Sequence, residues 1–191
     1  MIAVPITEKI KAIAEWTASM RQRKHTRGGN YTKLEAPQAY YHGAIGELCL
    51  YTLMKQSNTK SDYALNITGH ADNGDFLIWG KGKPYRADIK TASKPFHTRI
   101  MITKSQYNIH KCDLYIGARL NDEICEVWGY NKGIDGTTVE DKGVPSYNRN
   151  LTALTPIERL ILNAERGFAG WKIEGEISEP TFYKLQSWFN Q

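Results

Sequence analysis

Hydrophobic and polar positions along this chain change period from block to block. Between residues 6 and 23, Ile10, Ile13, Ala14, Thr17 and Met20 recur at the spacing of one helix face, with Thr7 placed to cap it. Residues 24–37 break the pattern as a basic, glycine-containing loop. Pro37 then opens a second helix over roughly 38–56, apolar around most of its circumference and therefore buried on several sides.

The period then shortens. Residues 75–79, DFLIW, predict a strand, GKGKP a turn, and YRADIKTA a second strand. In that second strand Ala87, Ile89 and Thr91 face one way and Arg86, Asp88 and Lys90 the other. A third strand is predicted over Arg99–Ile102, and Thr103 and Gln106 then fit a T-x-x-Q capping box. Strands at 112–120 and 123–130 flank a tight Asn121-Asp122 turn. Residues 131–150 read as loop, Thr155-Pro156 opens a helix to about Arg166, and 171–191 carries no clear period. Helices interleaved with strands give a mixed α/β domain, a central sheet of four or more strands flanked by helices. One domain over 1–191 is expected, with a core at 38–130, an N-terminal helix and basic loop at 1–37 and an extension at 131–191.

Composition narrows the class. No apolar run reaches the ~20 residues a membrane helix needs, and the N-terminus lacks the features of a signal peptide, so a cytoplasmic chain with no membrane partner is expected. Cys49, Cys112 and Cys125 are odd in number and widely spaced, which argues for reduced, packed thiols and against a zinc or iron–sulfur site.

Charge is segregated within a net +5. Residues 21–33 carry +5 and residues 81–104 carry +6, leaving −6 for the rest. Such segregation suits a phosphate-binding surface. Its candidate contacts are Arg21, Arg23, Lys24, Arg27 and Lys33 in the first block and Lys81, Lys83, Arg86, Lys94, Arg99 and Lys104 in the second. Tyr31, Phe96 and Tyr107 lie among them and are candidates for stacking on exposed bases.

Candidate chemistry appears where the hairpin folds. A turn near Gly82 places position 75 opposite position 89, give or take one, so Asp75 comes close to Asp88 and Lys90. Two carboxylates about 5 Å apart repel by roughly 3 kcal/mol at an effective dielectric of ~20, and a divalent cation reverses the sign. On the second helix Glu47 is the one charge on a stripe of Tyr40, Gly43, Ala44, Leu50, Tyr51 and Met54. A buried acid must be paired, protonated or metal-bound. Carboxylate oxygens at an incomplete site suit Mg²⁺, with Mn²⁺ as a substitute.

The pattern Glu47 … Asp75-x12-Asp88-x-Lys90 resembles that of the PD-(D/E)XK nucleases, a superfamily that includes type II restriction enzymes and Holliday-junction resolvases. The resemblance spans roughly residues 38–130, with Gly74 in place of the proline that often precedes the first aspartate. It implies a restriction-endonuclease-like core in which the helix bearing Glu47 precedes the hairpin. It also implies that Asp75, Asp88 and the Ile89 carbonyl bind metal, with Glu47 as a further ligand or the holder of a metal-bound water. Lys90 would be the catalytic lysine, and Gln106 would stand where some members carry an accessory polar residue, although the capping box accounts for Gln106 by itself. The implied activity is Mg²⁺-dependent cleavage of DNA, as an endonuclease or as an exonuclease or junction-type enzyme. One chain offers one site, so cutting two strands calls for a homodimer. No small-molecule cofactor is expected. A competing reading keeps the fold and the nucleic-acid surface without the chemistry.

Overall fold

The cap at Thr7 forms as the pattern predicts: the Ile10 amide donates to Thr7 Oγ1 at 3.3 Å, and helix α1 runs over Glu8–Lys24. This computed structural model describes residues 1–24, 36–68, 74–109, 111–133, 137–141 and 144–191. The basic loop predicted over 24–37 therefore lies almost wholly outside the described residues, with Arg27, Tyr31 and Lys33 in it. Helix α2 follows over Ala36–Gln56 with Pro37 in its first turn, where a missing amide hydrogen costs nothing. Its residues Ala44, Ile45, Leu48, Cys49, Leu50, Tyr51 and Met54 are all buried. One side packs on α1 and the other on the sheet, which explains an apolar surface wider than one face.

The strands are β1 (Ile2–Pro5), β2 (Ser61–Asn66), β3 (Phe76–Gly80), β4 (Lys83–Ala92), β5 (Arg99–Thr103), β6 (Leu114–Asn121), β7 (Ile124–Lys132), β8 (Thr137–Asp141), β9 (Val144–Asn150), β10 (Thr155–Pro156) and β11 (Gly170–Glu174). Helix α3 (Lys104–Ile109) precedes β6, α4 (Ile157–Asn163) follows β10, and α5 (Glu179–Asn190) ends the chain. The central sheet has eight strands in the order β1-β7-β6-β4-β3-β2-β11, with β10 added beside β7. It is mixed: β3 is antiparallel to β2 and β4, while β4 runs parallel to β6. The mixed central sheet flanked by helices is thus present.

Two layers cover this sheet. α1, α2 and α5 cover the side bearing Phe76, Ile78, Ala87, Ile89, Leu114 and Ile116, which forms the main core. Across from them, Ile100, Leu151 and Leu154 pack over Gly117, where an added Cβ would lie 3.1 Å from Leu151 and 3.3 Å from Ile100. These side chains belong to a small second sheet, β5-β9-β8, and the turn that follows it.

Several expectations are corrected. The predicted third strand forms as β5 but leaves the central sheet for the second one, so β4 pairs with β6 instead. Residues 131–150, read as loop, contain β8 and β9. Their Asp, Asn, Gly and Pro content hides the strand pattern. β1 and β2 were not anticipated: β1 has only four residues, and β2 is buried on both faces at most positions, so it does not alternate. The last predicted helix is shorter, because Thr155 and Pro156 pair with β7 before α4 begins. The uncharacterised tail forms β11 and α5, whose Leu185 and Phe189 reach the core. Cys49, Cys112 and Cys125 are buried and unlinked by disulfides. None of the described helices is long and apolar enough to cross a membrane.

Candidate active site

The hairpin that carries the candidate site turns on two residues, Lys81 and Gly82, with Gly80 paired to Lys83. Both turn residues have positive φ, 54° and 78°, as a type I′ connection requires. This sets the register. Phe76 pairs with Ala87, so Asp75, one step further, stands beside Asp88. Asp75 is only 8 % exposed. Its Oδ2 accepts the Ile89 amide at 3.0 Å, and its carbonyl accepts the Ala64 amide at 2.9 Å. The aspartate is therefore anchored to strands on both sides of it.

Gly74 explains the missing proline. Its φ of 103° is closed to proline, whose ring holds φ near −65°. A Cβ there would also come within 3.0 Å of the Ala87 carbonyl oxygen and of Cys112 Sγ.

Asp88 and Lys90 share one face of β4 and form an ion pair at 2.7 Å. Across the parallel ladder they meet Tyr115 and Gly117. Burial pulls the Lys90 pKa down, but the charge of Asp88 and its hydrogen bond, helped by Asp75, outweigh burial and hold it above the ordinary lysine value. Lys90 is therefore a stable cation at neutral pH.

Glu47 takes the first of its three options: it is paired. Arg21 Nη1 and Nη2 each reach one carboxylate oxygen at 2.9 Å. Tyr63 donates its hydroxyl to Oε2 at 3.0 Å. Arg21 Nε donates to the Asn66 carbonyl at 2.7 Å, which completes the fork. Burial, and after it the negative charge of Glu47, push the Tyr63 phenol well above its ordinary value, so it stays protonated and donates. Glu47 lies on the α2 side of the sheet, where Tyr63 stacks on Phe76 at 4.8 Å, whereas Asp88 and Lys90 face the other side. Asp75 joins the two groups, since its charge acts on Arg21 and Tyr63 as well as on Lys90.

The predicted phosphate contacts divide. Arg21 is turned inward and 9 % exposed; with its guanidinium committed to Glu47 and Asn66 it does not serve as a surface contact. Sequence reasoning missed this pair because α1 and α2 meet only in the fold. Arg23, Lys81, Lys83, Arg86, Lys94 and Arg99 are exposed, and Lys104 is half-buried with its ammonium 5.7 Å from the Tyr147 ring centre. Lys24 keeps its place at the end of α1, while its side chain is outside the described set. Tyr107 packs edge-on against Tyr147, a structural contact. Gln106 completes its capping box: its Oε1 accepts the Thr103 amide at 3.3 Å, and its own amide donates to Thr103 Oγ1 at 3.2 Å.

The donor set can be tested against a divalent metal on its chemistry. Among the described residues no group of three or more His, Cys, Asp or Glu side chains is arranged to hold an ion. Extending the β3–β4 register by one residue puts Asp75 next to Asp88, with one carboxylate on the Ile89 amide and the other on Lys90. Mg²⁺ is commonly held by one or two carboxylates together with waters and substrate phosphates, and not by a closed protein cage. The residues present fit that open mode. No family model matches this chain, nor does any curated protein or solved structure.

Proposed function

We propose that this protein is a Mg²⁺-dependent DNA endonuclease with a restriction-endonuclease-like core. The observation that carries the proposal is the placement of Asp75 beside Asp88, with Lys90 on the same strand face. Two carboxylates so close repel each other, and a divalent cation between them reverses the sign. The order of elements supports the same reading: the helix bearing Glu47 precedes the hairpin, and α3 leads from the second layer into β6 beside β4.

Asp75 and Asp88 would hold the metal, with the Ile89 carbonyl as the further donor implied by the resemblance. When bound, the ion supplies Lewis acidity toward a phosphate oxygen and lowers the pKa of a water. Asp75 reaches this role already oriented by the Ile89 amide. Lys90, ion-paired to Asp88 on the same strand face, would orient the attacking water and offset charge on the phosphorus-centred transition state. Glu47 serves from behind, its charge held in place by Arg21 and Tyr63.

Supercoiled plasmid incubated with Mg²⁺, Mn²⁺ or EDTA tests the proposal. The wild type is expected to nick or linearise the plasmid with either metal and to be inert in EDTA. Asp88→Ala and Lys90→Ala are each expected to lose at least ~100-fold of that rate, a typical effect of removing one electrostatic contact to the transition state. Equal cleavage by Lys90→Ala would sink the proposal. Salt-sensitive DNA binding without cleavage of plasmid, ends or junctions would favour a binding module instead.

A further inference from the structure

We infer that Phe96 is a base-stacking residue that directs this site to unpaired nucleotides, such as a single strand or the frayed end of a duplex. The inference rests on the nucleic-acid reading above and deepens it by naming the substrate class.

Phe96 is 75 % exposed, an unfavourable place for a phenyl ring that has nothing to cover it. It is not on a slack loop. The His97 amide donates to the Lys94 carbonyl at 3.0 Å, closing a four-residue turn, Lys94-Pro95-Phe96-His97. Pro95 sits at the second position, where its fixed φ suits the turn. The base of the loop is held too, because the Leu151 amide donates to the Thr98 carbonyl at 2.8 Å. The ring is therefore presented at the apex of a stiff turn, and little entropy is lost when it stacks. Its ring neighbour is His97, edge-on at 4.9 Å and also exposed, so both faces of Phe96 are not consumed by packing.

Position and charge select the partner. Phe96 follows Lys90 by six residues, in the turn beyond the end of β4. Six residues span at most ~20 Å, which bounds the distance from Lys90 to the ring. Lys94 and Arg99, both exposed, flank the ring and can hold phosphates. An apolar ring framed by cations suits a base between two phosphates better than it suits an apolar protein surface. A paired base inside a duplex hides both faces in the stack, so the ring can reach one only where pairing has ended.

Binding in EDTA tests the inference apart from cleavage. Wild type, Phe96→Ala and Phe96→Trp are titrated into a fluorescent single-stranded oligonucleotide and into a blunt, closed-ended duplex of the same length. Phe96→Ala is expected to weaken single-strand binding about ten-fold or more and to change duplex binding less than about two-fold. Phe96→Trp is expected to restore single-strand affinity, with its indole fluorescence quenched on binding. Unchanged single-strand affinity in Phe96→Ala, or an equal loss on both ligands, overturns the inference even if plasmid is cleaved. The expected Phe96 pattern without metal-dependent cleavage by the wild type leaves the inference standing and overturns the endonuclease. No binding of the single strand by the wild type overturns the inference, and the plasmid assay with metal then decides the endonuclease by itself. Unchanged thermal unfolding of the variants shows that the exposed turn has not altered the fold.

Discussion

An acid placed on an apolar helix stripe has to find a partner, and Glu47 finds it in Arg21, 26 residues earlier in the chain. Both groups are nearly dry, and removing one leaves the other buried without compensation. Arg21→Met is therefore expected to cost about 3–5 kcal/mol in urea unfolding. The double change Arg21→Met with Glu47→Leu should recover most of that, because no charge is then left unpaired. A single-variant cost below about 1 kcal/mol would mean the pair is wetter than it looks, and Arg21 would return as a phosphate contact. The same logic separates Glu47 from Asp75 and Asp88. Glu47 has its own cation with two matched donors, whereas Asp88 shares a strand face with Lys90 and bonds to it, and Asp75 accepts the Ile89 amide.

Among elements, the β3–β4 hairpin decides whether those aspartates meet. Its alternation was legible because one face is core and the other is polar, and the Gly82 turn was legible from glycine content. Its register was predictable only to within one residue, since the turn could take either of two lengths. The two-residue form places Lys81 at a φ of 54°, a left-handed conformation disfavoured for a residue with a long side chain. Lys81→Asn should stabilise the fold by about 0.5–1 kcal/mol, because asparagine tolerates this region and favours such turns. That corresponds to a rise in Tm of roughly 1–4 °C for a chain of this size. A fall in Tm would show that the lysine makes a contact worth more than its strain. Helix α2 was equally legible. A Cβ at Gly46 would run into the Thr91 hydroxyl and lie 3.2 Å from Thr91 Cβ, so glycine lets the helix rest on the strand that carries Asp88 and Lys90.

At the scale of the whole molecule, the exposed basic residues around the hairpin fall into two groups. Lys81 and Lys83 lie at the turn end of β4, about 17 Å from Asp88 at ~3.3 Å per residue. Lys94 and Arg99 lie beyond its other end, past the point where β3 stops pairing. If nucleic acid crosses the candidate site and runs toward Phe96, the two groups contribute unequally. Lys94→Glu with Arg99→Glu is expected to weaken binding at least ten-fold and to lower the salt slope by about 2, one unit for each lost phosphate contact. Lys81→Glu with Lys83→Glu should change binding by less than about three-fold at the same ionic strength. Equal effects from the two pairs would require a path along the full length of the hairpin.

By itself the sequence determined the local matters: which stretches are amphipathic, where Thr7, Thr103 and Gln106 cap helices, where the chain turns at Gly82, and that Asp88 and Lys90 share a face. These follow from backbone period and short-range bonding, which a few neighbouring residues set. Only the tertiary structure decided which elements lie beside which. It sent β5 to a second sheet and paired β4 with β6, because Gly117 leaves room for Ile100 and Leu151 above it. It spent Arg21 on Glu47 and left Phe96 uncovered on a stiff turn. Those choices rest on contacts between residues far apart in the chain, and neither period nor composition encodes such pairings.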